Sequence, residues 1–303
     1  MYTIELGKSG LVVPTVAVGC MRISGMSEKE AAAFVDTCLE NGANFFDHAD
    51  IYGGGNSEVV FGKAVASMRE KVLIQTKCGI VPGKMFDFSY EHITASVHAS
   101  LKRLGTDYID VLLLHRPDAL MEPEEVARAF RDLKSAGKVR HFGVSNQNPY
   151  QMKLLESYLD MPLCANQLQF SIMHAPMIQS GINVNMYNDS AVGRDGGVLD
   201  YCRLKGITIQ PWSPMQYGFF EGSFVDNAKF PELNRTLEEL AQKYGVSKTT
   251  VAVAWILRHP ARMQPITGTT NPTRLRDSFK AAEIRLTREE WYAIYKAAGN
   301  VLP

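Results

Sequence analysis

Four side chains with complementary acid–base chemistry lie in the first half of the chain: Asp47, Tyr52, Lys77 and His115. A tyrosine hydroxyl has an ordinary pKa of about 10, too high for efficient proton transfer at neutral pH. A nearby ammonium lowers that pKa because it favours the phenolate, and a buried lysine needs a carboxylate partner. An imidazole can orient a carbonyl oxygen. The set therefore indicates a general acid with a carbonyl-binding partner, without an acyl-transfer nucleophile and its base.

Each of these side chains lies at or just beyond the end of a short apolar run. Asp47 follows "NFF", Lys77 ends "VLIQTK" and His115 follows "IDVLLL". Most such runs are continuous rather than alternating, which is typical of parallel strands buried on both faces. We predict eight of these strands, over residues 16–19, 44–49, 72–77, 109–116, 139–146, 163–171, 207–214 and 263–269.

Helical segments alternate with the strands. Ser27 and Glu30 have the spacing of a capping box, and further helices are predicted from about Ser57, from Pro149 and from Pro272. Eight strand–helix units in 303 residues favour an α/β fold with a single (β/α)8 TIM barrel over residues 1–303. An open doubly wound sheet is the alternative, because periodicity does not reveal closure. "YTIEL" and "LVVPT" predict an N-terminal hairpin, and residues 286–298 an extra C-terminal helix.

Polar residues at the carboxyl ends of barrel strands are expected to share the catalytic face. Besides the first four, the predicted strand ends carry Ser145, Asn146, Asn166, Gln167, Trp212, Ser213, Thr269 and Thr270. The three irregular stretches 79–89, 174–197 and 215–230 should stand on the same face. Their aromatic residues either line a substrate pocket or pack the loops against the barrel: Phe86, Phe88, Tyr217, Phe219 and Phe220.

The composition excludes several classes of function. Lys and Arg total 32, as do Asp and Glu, so we expect no nucleic-acid partner. The five cysteines are scattered without a CxxC pair, which argues against a disulfide framework or a metal site and fits a reducing cytoplasm. Neither a signal peptide nor a membrane span is expected.

Three competing interpretations concern the segment "FFDHADIYGGGNSE". The glycines do not match a phosphate-binding P-loop, and no GxGxxG follows a strand; we expect them to turn the chain into the next helix.

His48 alternates with Asp47 and should point away from the barrel interior. Asp50 either caps the following turn or has a role that the sequence does not define. A glycosidase using Asp47 and Asp50 is disfavoured, because two acids on one loop straddle a sugar poorly.

The chain resembles the aldo-keto reductases. The resemblance is carried by "GANFFDHADIYGGGNSE", "VLIQTKCG", "DVLLLHRPD", "GKVRHFGVSN", "ANQLQFS", "QPWSP" and "PITGTTNPTRLRDS", and it extends from Val16 to about Ala282. It implies a barrel whose bottom is capped by the N-terminal hairpin. It also implies a catalytic tetrad in which Tyr52 donates a proton, Lys77 lowers its pKa, Asp47 pairs with Lys77, and His115 orients the substrate.

The resemblance also implies a bound NADPH as hydride donor. The implied cofactor-binding residues are Met21, Ser145, Asn146, Gln167, Trp212, Ser213, Pro214, Met215, Gly268, Thr269, Thr270, Arg274, Asp277 and Ser278. Among them Arg274 is the reason to expect NADPH rather than NADH, because a guanidinium can bind the 2′-phosphate that only NADPH carries. Two positions depart from the family pattern: many members have a lysine at the position of Gly268, and some have a tryptophan at that of Met21.

The resulting hypothesis is an NADPH-dependent carbonyl reductase of small molecules. A cofactor-binding regulatory subunit of the same fold, with little turnover, is the alternative, since such proteins keep the tetrad. We expect a small-molecule carbonyl substrate, no membrane partner and a monomer.

Overall fold

Eight parallel strands form one sheet in the computed structural model, which describes residues 2–303. Twelve strands occur in this part of the chain: β1 Thr3–Glu5, β2 Val12–Pro14, β3 Ala17–Gly19, β4 Phe45–Asp47, β5 Leu73–Cys78, β6 Ile80–Val81, β7 Met85–Phe86, β8 Ile109–Leu114, β9 Val139–Ser145, β10 Ala165–Gln169, β11 Thr208–Trp212 and β12 Ile266–Thr267. The barrel strands run in the order β11-β10-β9-β8-β5-β4-β3-β12. Neighbours are therefore consecutive barrel strands, as in a singly wound barrel.

Backbone hydrogen bonds bridge the remaining gap between β11 and the segment leading into β12. Ile209 N donates to Arg262 O at 2.9 Å, and Gln264 N donates to Ile209 O at 2.9 Å. These bonds join the seventh barrel strand to the eighth, which itself pairs with the first, β3, and so close the ring. The predicted (β/α)8 barrel is therefore confirmed and the open sheet is wrong.

The predicted N-terminal hairpin is formed by β1 and β2, which pair antiparallel. It lies at the amino ends of the barrel strands. Leu6 and Val13 are fully buried there, in one cluster with Phe45, Val111 and Leu113 from the barrel. Apolar burial of this kind stabilises a fold by about 25 cal/mol per Å² removed from water. The hairpin thus closes the bottom and leaves the opposite end open.

Helices cover the outside of the barrel: α1 Glu28–Glu40, α2 Asn56–Val65, α3 Tyr90–Leu104, α4 Pro123–Ser135, α5 Pro149–Glu156, α6 Pro176–Ile182, α7 Val198–Lys205, α8 Pro231–Tyr244, α9 Lys248–Leu257, α10 Pro272–Lys280 and α11 Arg288–Ala297. The predicted capping box of Ser27 and Glu30 is present at the start of α1. A second box, Asn148 with Gln151, begins α5. Within residues 2–303 no helix is long and apolar enough to cross a membrane.

The structure corrects several sequence-based element bounds. Most barrel strands are shorter than predicted, because hydrogen-bonded pairing stops where the polar strand ends turn into loops. Residues 174–197 are not irregular throughout, since they contain α6, and residues 79–89 contain the small hairpin of β6 and β7. Two helices, α8 and α9, lie between the seventh and eighth barrel strands. The C-terminal helix predicted over 286–298 begins after the cap residue Thr287.

Candidate active site

Lys77 and Asp47 form an ion pair inside the barrel. Lys77 Nζ lies 2.8 Å from Asp47 Oδ2, and the side chain of Lys77 is fully buried. The two residues come from neighbouring strands β5 and β4, which place both side chains on the interior face. Lys77 Nζ also donates to His48 O at 2.6 Å, so the buried ammonium has carboxylate and carbonyl partners.

Tyr52 is the third partner of the same ammonium. Lys77 Nζ donates to the Tyr52 hydroxyl at 3.1 Å. Tyr52 begins a short 3-10 helix whose Gly53 and Gly54 have φ angles of 58° and 64°. These left-handed conformations are cheap only for glycine, so the glycines make the tight turn that brings Tyr52 back over the barrel. Their predicted role in turning the chain into α2 is confirmed.

His115 completes the group at the end of β8. Its ring lies edge-on to the ring of Tyr52, with the two centroids 6.0 Å apart. Burial, with further contributions from Lys77 and Arg116, holds the pKa of His115 well below its ordinary value. The imidazole is therefore neutral at physiological pH, and its single ring N–H can donate to an oxygen without carrying charge.

The pKa of Tyr52 shows two opposed effects. Burial raises it above the ordinary value of 10.0, whereas Lys77 lowers it. Lys77 thus acts in the direction expected from the sequence, but burial outweighs it, so the phenol keeps its proton at neutral pH. Burial would lower the pKa of Lys77, but Asp47 and Tyr52 together hold it above 10.5. The charged state of the site is an ammonium beside a protonated phenol.

A ladder of glutamines supports Asp47 from inside the barrel. Gln75 Nε2 and Gln167 Nε2 donate to Asp47 Oδ1 at 2.6 and 3.1 Å. Gln210 exchanges hydrogen bonds with Gln75 and donates to Gln264 Oε1 at 2.9 Å. All four glutamines are buried. The sequence predicted only Gln167. Gln75 and Gln210 lie in the middle of β5 and β11, and Gln264 lies just before β12. A glutamine inside each of these apolar runs was the signal that could have indicated them.

Two residues beyond strand ends have strained backbones. Asn146, after β9, and Ser213, after β11, have φ angles of 57° and 53°, which non-glycine residues adopt at a cost. Trp212 Nε1 donates to Asn146 Oδ1 at 3.2 Å, and Asn146 Nδ2 donates to Ser145 Oγ at 2.8 Å. The strain and the hydrogen bonds fix the polar side chains of two strand ends relative to one another.

One cavity of about 840 Å³ lies at the carboxyl ends of the strands, and most of these groups border it. The structure brings most of the predicted residues to its walls: Met21, Asp47, Tyr52, His115, Ser145, Asn146, Gln167, Trp212, Ser213, Pro214, Met215, Gly268, Thr269, Thr270, Arg274 and Ser278. Lys77 lies behind the wall, bonded to Asp47 and Tyr52. Asp277 does not line the cavity; its carbonyl oxygen accepts a hydrogen bond from Thr250 Oγ1.

Several cavity residues were not predicted. Arg22, Arg116, Gln216 and Asn271 belong to the lining. Arg22 Nη1 donates to Gly268 O at 2.6 Å and so spans from the loop after β3 to the end of β12. No strand-end pattern marks the loop residues Arg22 and Gln216. Arg116 directly follows His115, and its charge beside a predicted catalytic residue was the available signal.

The loop aromatics divide between the two expected roles. Phe220 lines the cavity and stacks near Trp212, with ring centroids 6.1 Å apart. Phe88 is buried in the core, and Tyr217 packs against Phe230. Phe86 and Phe219 are exposed. His48 packs on Phe61 outside the barrel interior, as predicted.

Asp50 lies beneath the turn that carries Tyr52. Burial and the neighbouring Glu58 raise its pKa to about 7, and its Oδ1 has no hydrogen-bond partner among residues 2–303. Glu58 is itself buried and bonded to Thr76 Oγ1 and Arg103 Nε at 2.6 and 2.7 Å. The two acids therefore belong to a buried polar cluster between β5, α2 and α3.

A parallel barrel with a lysine, carboxylate, phenol and imidazole around a top-face cavity defines an oxidoreductase of the aldo-keto reductase class. The model of the aldo/keto reductase family matches residues 15–298. The chain therefore belongs to the aldo/keto reductase family.

Curated relatives carry oxidoreductase names. The chain is 38% identical over 285 residues to the uncharacterized oxidoreductase YcsN of Bacillus subtilis, covering 89% of each chain. It is 34% identical over 304 residues to a 6-dehydroglucose reductase of Agrobacterium fabrum, covering 95% of each. Among solved structures, the thermostable aldo-keto reductase Tm1743, in complex with the inhibitor epalrestat, matches with a TM-score of 0.79 and 27% identity, over 98% of this chain and 100% of that one.

Proposed function

We propose that the protein is an NADPH-dependent reductase that converts small aldehydes or ketones to alcohols, with Tyr52 as proton donor. The observation that carries the proposal is the position of Lys77 Nζ, 2.8 Å from Asp47 Oδ2 and 3.1 Å from the Tyr52 hydroxyl, beneath an open cavity. This arrangement suits proton transfer, because the buried phenol keeps its proton before the reaction. The ammonium of Lys77 can stabilise the phenolate once that proton has been transferred.

Each tetrad residue has a defined task in this proposal. Tyr52 gives its proton to the carbonyl oxygen of the substrate, and the adjacent ammonium of Lys77 stabilises the phenolate that remains. The neutral imidazole of His115 donates to the same oxygen and fixes its position. Asp47 keeps Lys77 charged despite its burial. The bound nicotinamide cofactor supplies the hydride.

The cavity fits a dinucleotide together with a small substrate. Its volume of about 840 Å³ lies in the upper part of the range of ligand pockets, about 300–1,000 Å³. Amide and hydroxyl groups of Ser145, Asn146 and Gln167 line it, and Gln167 donates to Asp47, the partner of Lys77. Arg22, Thr269 and Arg274 line it as well, with Arg22 bonded to Gly268 O beside Thr269. Gln216 Oε1 is buried there without a protein partner. Such a distribution suits a carboxamide at one end and phosphates at the other.

The preference for NADPH over NADH is part of the proposal and rests on Arg274. Its guanidinium belongs to the cavity lining and forms no ion pair within residues 2–303. The neighbouring Gly268 lacks the lysine common in the family, but Arg22 Nη1 lies 3.2 Å from the position of a Cβ at Gly268, so a cation occupies that space. The 6-dehydroglucose reductases among the relatives support small carbonyl compounds as substrates.

The proposal treats the protein as a single-domain cytoplasmic monomer. All four tetrad residues come from one chain, so the site needs no second copy. The five cysteines are buried and unpaired, which fits a reducing compartment.

The test is reduction of an activated aromatic aldehyde such as 4-nitrobenzaldehyde by NADPH, followed at 340 nm. Tyr52→Phe should lower kcat by about 10²–10⁴-fold, the usual contribution of general acid catalysis. Tyr187→Phe is the matched control, because Tyr187 is fully exposed. Turnover by Tyr52→Phe at the unaltered rate would remove Tyr52 as proton donor. Tight NADPH binding without turnover of a broad aldehyde and ketone panel would favour the regulatory role instead.

A further inference from the structure

Arg116 is a charged cavity residue that the proposed reaction does not use. It follows His115 directly at the end of β8, is partly buried, and lines the cavity with Tyr52 and His115. Its guanidinium carbon lies 5.8 Å from the ring centroid of Trp212. Burial lowers the pKa of Arg116, and the nearby Tyr52 hydroxyl opposes that shift. The guanidinium therefore shares the cavity with the proposed proton donor.

Within residues 2–303, no carboxylate or other hydrogen-bond acceptor is bonded to this guanidinium. Arg116 forms neither an ion pair nor a side-chain hydrogen bond with any residue from 2 to 303. Arg69, Arg103 and Arg140, by contrast, are each paired with a buried Asp or Glu. A guanidinium offers five donors in a planar fork, and those of Arg116 have only the face of Trp212 beside them. The donors are therefore available to a ligand in the cavity, and a cation–π contact worth about 0.5–2 kcal/mol does not use them.

The carboxylates of the cavity are already neutralised. Asp47 is paired with Lys77, and Asp226 forms an ion pair with Lys248. Three arginines remain on the lining: Arg22, whose Nη1 donates to Gly268 O, Arg274, assigned above to the cofactor, and Arg116. The space beside Tyr52 and His115 therefore carries an uncompensated positive charge and no free acid.

We propose that Arg116 is a specificity-determining residue that binds an anionic group on the carbonyl substrate. The substrates favoured by this site are oxo-acids and aldehyde-acids, in which a carboxylate lies a few atoms from the reacting carbonyl. A carboxylate accepts two parallel hydrogen bonds from a guanidinium, which fixes the substrate as well as attracting it. The inference deepens the proposed function and rests on it.

The experiment compares matched substrates that differ in charge. Steady-state reduction of 4-carboxybenzaldehyde and of its neutral methyl ester, methyl 4-formylbenzoate, is measured at saturating NADPH. The wild type should favour the carboxylate in kcat/KM. Arg116→Gln should lower the charged-to-neutral ratio by about tenfold to hundredfold, mainly through KM, as expected for hydrogen bonds to a charged group. Arg116→Lys should retain part of the preference, because it keeps charge but not the fork.

Arg276→Gln is the control for loss of an arginine outside the cavity. Arg276 is exposed and does not line the cavity, so its loss should alter the ratio by no more than about twofold. Equal kcat/KM values for both substrates in the wild type would overturn the inference. So would a ratio that Arg116→Gln leaves unchanged while both rates fall, since that is the result of a purely structural role.

A binding measurement separates this inference from the proposed reductase activity. Quenching of tryptophan fluorescence by 4-carboxybenzaldehyde and by its ester reports affinity without turnover, because Trp212 lies beside Arg116. Carboxylate-selective binding that Arg116→Gln abolishes, without any turnover, would overturn the reductase activity and support the anion site. Turnover with no selectivity in binding or in kcat/KM would overturn the anion site alone.

Discussion

Lys77 and Asp47 form an ion pair in which Nζ and Oδ2 are 2.8 Å apart and the lysine is wholly excluded from solvent. The pair cannot be understood as surface electrostatics. Each charge is tolerated in the barrel because the other is present, and because His48 O, the Tyr52 hydroxyl and two glutamine amides supply further hydrogen bonds. The pair therefore links the stability of the barrel to the chemistry of the cavity above it.

The first prediction concerns removal of one member of this pair. Lys77→Met leaves the Asp47 carboxylate buried without a counter-charge, and Asp47→Asn leaves the ammonium uncompensated. Each should lower the free energy of unfolding by about 3–5 kcal/mol. The double variant should recover much of that loss, since no isolated charge remains. Urea unfolding followed by circular dichroism measures all four proteins.

The double variant also separates stability from activity. It should be folded yet reduce aldehydes at least about 10²-fold more slowly than the wild type, because Tyr52 loses the ammonium that stabilises its anion. Additive losses in the double variant would show that the two charges act independently. Carbonyl reduction at the wild-type rate would remove Lys77 from the mechanism.

The second prediction concerns Gln75, in the middle of β5. Gln75→Leu removes the 2.6 Å hydrogen bond to Asp47 Oδ1 and both bonds to Gln210. The buried amide of Gln210 would lose partners, so the free energy of unfolding should fall by about 1–3 kcal/mol. Asp47 would lose one of its two glutamine donors, so kcat should fall as well. A fall in stability with kcat unchanged would show that the ladder only supports the fold.

The sequence predicted the barrel because its strands are short apolar runs that recur between helical segments. It also predicted which polar residues lie near the carboxyl ends of the strands, since Asp47, Lys77 and His115 stand where apolar residues stop, although most strands are shorter than predicted. Parallel strands of a barrel bring such ends together, and the structure shows that they meet around one cavity. Both predictions depend on patterns within short stretches of sequence, and these do not require knowledge of which distant segments pack together.

Other features depend on packing between distant segments and were not predictable from local patterns. Gln210 reaches Gln75 only because the barrel closes over a separation of 135 residues. The net rise in the pKa of Tyr52 depends on how deeply the turn is buried, which its sequence does not state. Arg116 could be recognised as unpaired only when all possible carboxylate partners had positions.

The third prediction uses the pH dependence of stability at Asp50. Its folded pKa of about 7 lies above the ordinary value of 3.8, so the folded state binds a proton that the unfolded state has already released. Between these values Asp50 lowers stability as pH rises, by up to about 1.4 kcal/mol per pH unit. The stability of Asp50→Asn relative to wild type should therefore increase from about pH 4 to pH 7 and then level off.

The difference in stability between Asp50→Asn and the wild type isolates the contribution of Asp50 to the pH dependence. Burial lowers the pKa of His48 from 6.5 to about 3, so between these values the unfolded state binds a proton that the folded state does not. The contribution of His48 to stability therefore rises with pH over this range, whereas that of Asp50 falls. The His48 contribution is present in both proteins and cancels in the difference. The groups facing Asp50 are Glu58, which raises its pKa, and Arg103, Lys77 and the Ile51 N–H, which lower it. A difference that is flat from pH 4 to 8, measured by urea unfolding, would show that Asp50 is ionised throughout.

The last prediction addresses the cofactor through two arginines on α10. Arg274 lines the cavity, whereas Arg276, two residues further along the same helix and also exposed, does not. Arg274→Gln should raise KM for NADPH by about tenfold or more, because a charged hydrogen bond to the 2′-phosphate is lost, while KM for NADH changes little. Arg276→Gln removes the same charge from the same helix and should leave both values within about twofold. If Arg274→Gln changes KM for NADPH and for NADH equally, the arginine does not bind the 2′-phosphate. Any preference for NADPH must then come from Arg22 or be absent.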